Sequence, residues 1–362
     1  MSKIAILDTK VEKNRLKNRK FRYYSVLNGR DSGVESALCS HGTVCAMILD
    51  YLTKDYELIN IQIMEEPPSN QGKPMGYIED LRKGLELCLD LKPDLICMSA
   101  VTSVLSDSKE LYSLVKKISE KSTVIAALDN KGYVTVPSSY PFVIGVLADR
   151  ENILGPGEVM YREDGWLCSN VFANCQFDWL KEHRCTPSNS LAVPVVAAKL
   201  NDWINQGKEI LKMLKQTEKP NLKLGTLQLP VIDREQVPVA VIYSQDVTKA
   251  YRACIRTMDC LYADYGVQAV CLSGTEETYD IRVKKLRSVE KDLPVMQRYY
   301  RADLIFLALD MEHYMDVKDF DDIDLFIYLN ETDELFRASY ENKSITEKRE
   351  KMTEKIYQIL TE

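Results

Sequence analysis

The chain has 362 residues, 45% of them apolar, with a formal net charge of −7. That apolar content excludes global disorder, and the length exceeds what one small core needs, so two domains are expected. The acidic balance argues against a nucleic-acid-binding protein, and no apolar run is long enough to span a membrane.

In chain order, residues 4–7 form a short apolar run that reads as a buried strand ending at Asp8. The run is too short for the core of a signal peptide, and no small-residue cleavage site follows it, which points to a cytoplasmic protein. The basic stretch 13–22 reads as a solvated loop. Residues 43–52 carry a helical apolar pattern at Val44, Met47, Ile48, Tyr51 and Leu52. Residues 58–63 read as a strand. Residues 75–91 read as a helix with Tyr77, Leu81, Leu85 and Leu89 on one stripe. Residues 95–98, 123–127 and 142–147 are further short apolar runs. Residues 191–206 read as a helix whose Pro194 falls in the first turn, where a missing N–H costs least. Strands alternating with helices imply a mostly parallel sheet covered on both faces.

A polar, proline-containing stretch over 216–238 reads as a linker. Beyond it strands are expected at 239–243, 267–272, 304–309 and 325–329, and helices at 247–262 and 345–360. The expected organisation is therefore a domain over 1–215, the linker, and a smaller α/β domain over 239–362. The second domain has neither a G-x-G-x-x-G nor a G-x-x-x-x-G-K-[ST] pattern, so no chemistry is assigned to it. Its acidic stretch 310–324 lacks the ordered spacing of a calcium loop. Ten cysteines, with no C-x-x-C pair, and only three histidines make a structural zinc site improbable and favour buried, reduced thiols. No metal and no cofactor is expected.

Three short motifs carry chemistry. Asp8 ends a buried strand, where a carboxylate is costly without a partner. His41 stands before Gly42-Thr43 at the start of a helix. Ser190 stands in Ser188-Asn189-Ser190-Leu191-Ala192-Val193-Pro194, also at a helix start. Taken singly, each is ordinary: a strand-end turn, a half-buried histidine, an N-cap serine. Taken together they supply a nucleophile, a base and a group to hold that base, which is what amide hydrolysis needs. Cys45, four residues after His41, offers a second thinkable nucleophile on the same helix face, with a buried structural thiol as the plainer reading.

The three motifs resemble those of the subtilases. That family carries Asp in D-[ST]-G, His in H-G-T-x-V-A-G and Ser in G-T-S-M-A-x-P. Here the corresponding stretches are Asp8-Thr9-Lys10, His41-Gly42-Thr43-Val44-Cys45-Ala46-Met47 and Ser188 to Pro194. The segment from Val124 to Gly132 resembles the family's A-A-G-N segment. The resemblance implies Asp8, His41 and Ser190 as a catalytic triad and Asn130 as an oxyanion donor beside the Ser190 N–H. It also implies a pocket for the residue before the cut, lined by Ser99, Ala100, Val101 and Ala127. It covers about residues 1–210 and implies a subtilisin-like three-layer α/β fold with a mostly parallel central sheet, its pocket loops trimmed. Lys10, Met47, Leu128-Asp129 and Ser188-Asn189 stand where the family has glycine-containing pairs or glycine, which puts the local backbone in question.

The function the resemblance implies is a cytoplasmic serine endopeptidase processing a particular peptide or protein, for example by removing the leader of a natural-product precursor. Two alternatives follow from the same residues: an inactive subtilase fold used for binding or assembly, and an acyl-transferring ligase or macrocyclase. A peptide or protein substrate is the expected partner, with the C-terminal domain docking a substrate or partner protein.

Overall fold

The structure is a computed structural model and describes residues 1–18, 20–27, 39–66, 76–162, 169–219, 237–275, 279–330, 334–341 and 343–361. Two compact units are present. One comprises Met1–Thr102 with Glu110–Leu229, the other Ser103–Lys109 with Pro230–Glu362.

In the first unit, short runs that are apolar on both faces become central strands, because helices cover both sides of a parallel sheet. The elements are β1 (Ser2–Asp8), β2 (Phe21–Ser25), α1 (His41–Leu52), β3 (Tyr56–Gln62), α2 (Ile78–Leu91), β4 (Leu95–Met98), α3 (Ser108–Ser119, whose first two residues count with the other unit), β5 (Thr123–Ala127), β6 (Ile144–Ala148), β7 (Val159–Tyr161), β8 (Ser169–Ala173), α4 (Asn189–Asn205) and α5 (Ile210–Lys215). The eight strands lie in the order β2-β3-β1-β4-β5-β6-β8-β7. All neighbours are parallel except β7 and β8. Ile4, Ile6, Leu58, Leu95 and Ile125 join Val44, Ile48, Val193 and Ala197 of α1 and α4 in one core. On the opposite face α2 approaches so closely that a Cβ on Gly84 would sit 2.6 Å from the Ile63 side chain. Two helical layers thus enclose the sheet.

The second unit holds β9 (Val239–Ser244), α6 (Val247–Tyr265), β10 (Ala269–Ser273), β11 (Val283–Lys285), α7 (Val289–Tyr299), β12 (Leu304–Asp310), α8 (Met311–Val317), β13 (Leu325–Leu329), β14 (Leu335–Tyr340), β15 (Lys343–Lys348) and α9 (Met352–Thr361). Its sheet runs β11-β10-β12-β9-β13-β14-β15, parallel as far as β13 and antiparallel beyond it. The class is α/β with mostly parallel sheets throughout.

Several boundaries differ from expectation. Part of the basic stretch 13–22 is edge strand β2, whose burial alternates as in a half-covered strand; Arg19 lies outside the described residues. The expected helix over 345–360 begins as strand β15, and the helix starts only at Met352. The acidic stretch 310–324 contains α8, with Asp310 as its N-cap. The helix expected from Met75 starts at Ile78, with Met75 outside the described residues. Most of the stretch 216–238, namely 220–236, also lies outside them. The nine described cysteines are free thiols. Among the described residues no helix is long and apolar enough to cross a membrane.

Candidate active site

Parallel strands bring their carboxyl ends to one edge, where open α/β sheets place ligands. Strand β1 sits where the chain's progress across the sheet reverses: β3 pairs on one side of it and β4 on the other. Asp8, the last residue of β1, is fully buried. Its carboxylate accepts from the Thr9 N–H at 2.7 Å and faces His41 Nδ1 at 2.9 and 3.0 Å. Those partners offset the cost of burying the charge.

His41 is the first residue of α1, two residues earlier than the sequence pattern suggested. Ser40 is the N-cap; its hydroxyl accepts from the Thr43 N–H at 3.1 Å and donates to the Lys10 carbonyl at 2.6 Å. A Glu66 carboxylate oxygen accepts the His41 N–H at 2.8 Å, satisfying another of the amides a helix start leaves unpaired. Gly42 is required by contact: its N–H donates to Thr9 Oγ1 at 2.9 Å, and a Cβ there would stand 2.5 Å from the Thr9 carbonyl oxygen. These bonds aim the imidazole so that Nε2 lies 3.1 Å from Ser190 Oγ. Burial pulls the His41 pKa down, but the Asp8 carboxylate and the adjoining Cys45 raise it more, and the net value lies well above the ordinary 6.5.

Ser190 is not the cap of its helix. Ser188 is, with extended backbone at φ −150°, and Ser190 is the second residue of α4. Its N–H is therefore one of the first-turn amides without an intrahelical partner, at the positive end of the helix dipole. Ser188 Oγ lies 2.9 Å from Ser190 Oγ. Asn130 stands three residues beyond the end of β5. Its Oδ1 accepts the Asn189 N–H at 2.9 Å, and Arg150 Nη2 donates to its carbonyl oxygen at 2.8 Å. With Oδ1 turned to Asn189, the amide of Asn130 keeps Nδ2 as a donor.

The remaining expected residues lie around the same edge. Ser99 follows β4 directly, and its hydroxyl donates to the Ser190 carbonyl at 3.4 Å. Ala100 and Val101 are half-buried. The segment is tethered at Thr102, which exchanges both backbone hydrogen bonds with Val136. Ala127 ends β5 and is buried. None of the departures from the family's glycines requires left-handed backbone. The described non-glycine residues with positive φ are Asp55, Lys92, Asn152, Arg184 and Glu341, all elsewhere. Arg150 and Glu66 also contact the site and were not singled out from the sequence, while Ser188 and Asn189 were noted there only as departures from the family pattern. Their partners are 25 or more residues away in several cases, which no local pattern reveals.

Cys45 is buried with its Sγ 3.8 Å from His41 Nδ1. Asp8, His41 and Cys45 thus offer three ligand atoms within 4.8 Å of one another. The first two are already committed to each other, so the set reads as a relay with a thiol beside it. The other histidines stand apart in their contacts: His183 meets Trp179 edge-on, and His313 Nδ1 is 2.8 Å from Asp310 Oδ1 in the second unit.

No family model matches the chain, and no curated protein does. Solved structures do. The prenylagaramide maturation protease PagA is similar at 17% identity over 57% of this chain and 78% of its own, with a TM-score of 0.37. A lanthipeptide protease is similar at 14% identity over 59% and 79%, with a TM-score of 0.39. The PatG macrocyclase, solved with a peptide, is similar at 12% identity over 58% and 78%, with a TM-score of 0.33.

Proposed function

We propose that this chain is a subtilisin-like serine endopeptidase. The observation that carries the reading is the unbroken relay from buried Asp8 through both nitrogens of His41 to Ser190 Oγ, at 2.9 and 3.1 Å. Asp8 holds Nδ1–H, so Nε2 presents its lone pair to the hydroxyl. Ser190 Oγ attacks the scissile carbonyl carbon while Nε2 takes its proton. The new imidazolium is stabilised by Asp8. The carbonyl oxygen becomes an oxyanion, for which the Ser190 N–H and Asn130 Nδ2 are the donors. His41 then protonates the leaving amine, and water repeats the sequence on the acyl-enzyme. In this reading Ser99, Ala100, Val101 and Ala127 line the pocket for the residue before the cut, as the family resemblance implies.

What favours this reading over an inactive module is that none of the residues standing where the family has glycine has a positive φ. A role for the second unit in docking substrate or partner is part of the same proposal. The test is labelling with a fluorophosphonate probe, which phosphonylates an activated serine. Native protein should label and Ser190→Ala should not. A native chain that stays unlabelled, or labels equally without Ser190, removes the reading. Mass spectrometry of digests of unstructured peptides, natural-product leader sequences among them, then identifies the bond that is cut.

A further inference from the structure

Asn189 is 1% exposed, yet every hydrogen-bonding group of its side-chain amide is used. Oδ1 accepts the Ala148 N–H at 2.9 Å, from the end of β6. Nδ2 donates to the Leu128 and Asp129 carbonyls at 3.1 and 3.0 Å. The backbone N–H of the same residue donates to Asn130 Oδ1 at 2.9 Å. Partners of opposite kind on the two prongs fix which way the amide faces.

We propose that Asn189 is a positioning residue that sets both oxyanion donors at once; this rests on reading Ser190 as nucleophile and Asn130 as an oxyanion donor. One donor, the Ser190 N–H, belongs to the next residue along the backbone. The other belongs to Asn130, the residue directly after the Leu128-Asp129 turn that the Asn189 amide grips. The backbone N–H of Asn189 then chooses the prong of Asn130 left for substrate. The family pattern has Gly-Thr where this chain has Ser188-Asn189, so the clamp is a feature of this chain's own residues. Oxyanion donors act only when aligned, and small misplacements cost rate more than binding.

The test is the kinetics of fluorophosphonate labelling, with kinact separated from KI, for the native chain, Asn189→Ala, Asn130→Ala and the double variant. Asn189→Ala should lower kinact by about 10- to 100-fold and leave KI nearly unchanged. Asn130→Ala should lower kinact by about 100- to 1,000-fold. Because part of the Asn189 effect runs through Asn130, the double variant should fall short of the product of the two losses. Asn189→Asp keeps shape and acceptor while removing both donors, and should lower kinact in the same way. It carries the test if Asn189→Ala does not fold. An unchanged kinact in either variant overturns the proposal, as do strictly multiplicative losses. So does failure of both variants to fold, which would make Asn189 a folding residue. A native chain without Ser190-dependent labelling would instead defeat the underlying hydrolase reading.

Discussion

Cys45 Sγ lies 3.8 Å from His41 Nδ1, on the ring edge that faces Asp8, while the opposite edge faces Ser190. The thiol therefore approaches the ring at the nitrogen turned to Asp8 and not at the one turned to Ser190 Oγ. It is also 2% exposed and within 3.7 Å of Ser99 Oγ. Cys45→Ala should keep Ser190-dependent fluorophosphonate labelling, with a rate within about tenfold of native for the small cavity it leaves. Loss of labelling in Cys45→Ala, with retention in Ser190→Ala, would reverse the nucleophile assignment.

The raised His41 pKa has a direction that pH profiles can read. The base must be neutral to accept the Ser190 proton, so the labelling rate should rise with pH along a limb centred above the ordinary 6.5. Asp8→Asn removes the main opposing charge and should move that limb to lower pH, besides slowing the reaction. Stability runs the other way. A group whose folded pKa is raised stabilises the fold fully below its unfolded pKa of about 6.5. That contribution fades as pH rises through the folded value. Denaturant unfolding of the native chain against His41→Gln, from pH 5.5 to 9, should show their difference shrinking with pH. A difference that grows with pH would show the imidazole to be held neutral.

Members of a relay act as a unit. Ser190→Ala and His41→Ala should each lower turnover by roughly six orders of magnitude, and the pair should lose little more than either. Initial rates on any peptide found to be cut measure this. Losses that multiply would mean that the two residues act in separate steps.

The central strands and the clustering of Asp8, His41 and Ser190 were legible because they depend on local features. A strand buried on both faces is a continuous apolar run, as in residues 4–7 and 95–98. Asp8, His41 and Ser190 sit in short motifs at one strand end and two helix starts. Edge strands were not legible. Lys343–Lys348 has no buried residue and reads as polar helix until an antiparallel neighbour is supplied by Leu335–Tyr340. The helix Ser108–Ser119 buries Leu111, Val115 and Ile118 at helical spacing, a pattern present in the sequence but interrupted by lysines and serines. The part played by Asn189 was not legible at all: its side chain answers backbone groups 41 and 61 residues away.

Among the described residues Arg282 is the largest fully buried side chain, 1% exposed. Its guanidinium donates to both oxygens of Asp280 and to Asp259 Oδ1 at 2.9 Å. Removing one partner of a buried pair leaves an uncompensated charge. Arg282→Met should destabilise the second unit by about 2–4 kcal/mol, at the lower end of such losses because Asp259 is 40% exposed to solvent. Hydrogen exchange of second-unit peptides across a urea series measures it, because all three tryptophans belong to the first unit. A change below about 1 kcal/mol would show that water replaces the guanidinium at little cost.

The second unit draws one of its pieces from early in the chain. Ser103–Lys109 belongs to it. There the Leu105 N–H donates to Gln268 Oε1 at 2.6 Å, and Gln268 Nε2 donates to the Ser103 carbonyl at 3.0 Å. The Tyr262 hydroxyl donates to Asp107 at 2.7 Å, and the Lys109 ammonium pairs with Asp259 at 2.7 Å. Leu105 itself is fully buried. A specific protease site inserted between residues 219 and 237 would cut the chain into two pieces, with Ser103–Lys109 left on the N-terminal one. Those pieces should therefore stay together on gel filtration after complete cleavage, and separate only in denaturant. Gln268→Ala strands a buried N–H and should weaken the association about tenfold or more, while leaving the uncut chain folded. Pieces that separate at micromolar concentration in native buffer would show that the second unit completes itself without Ser103–Lys109.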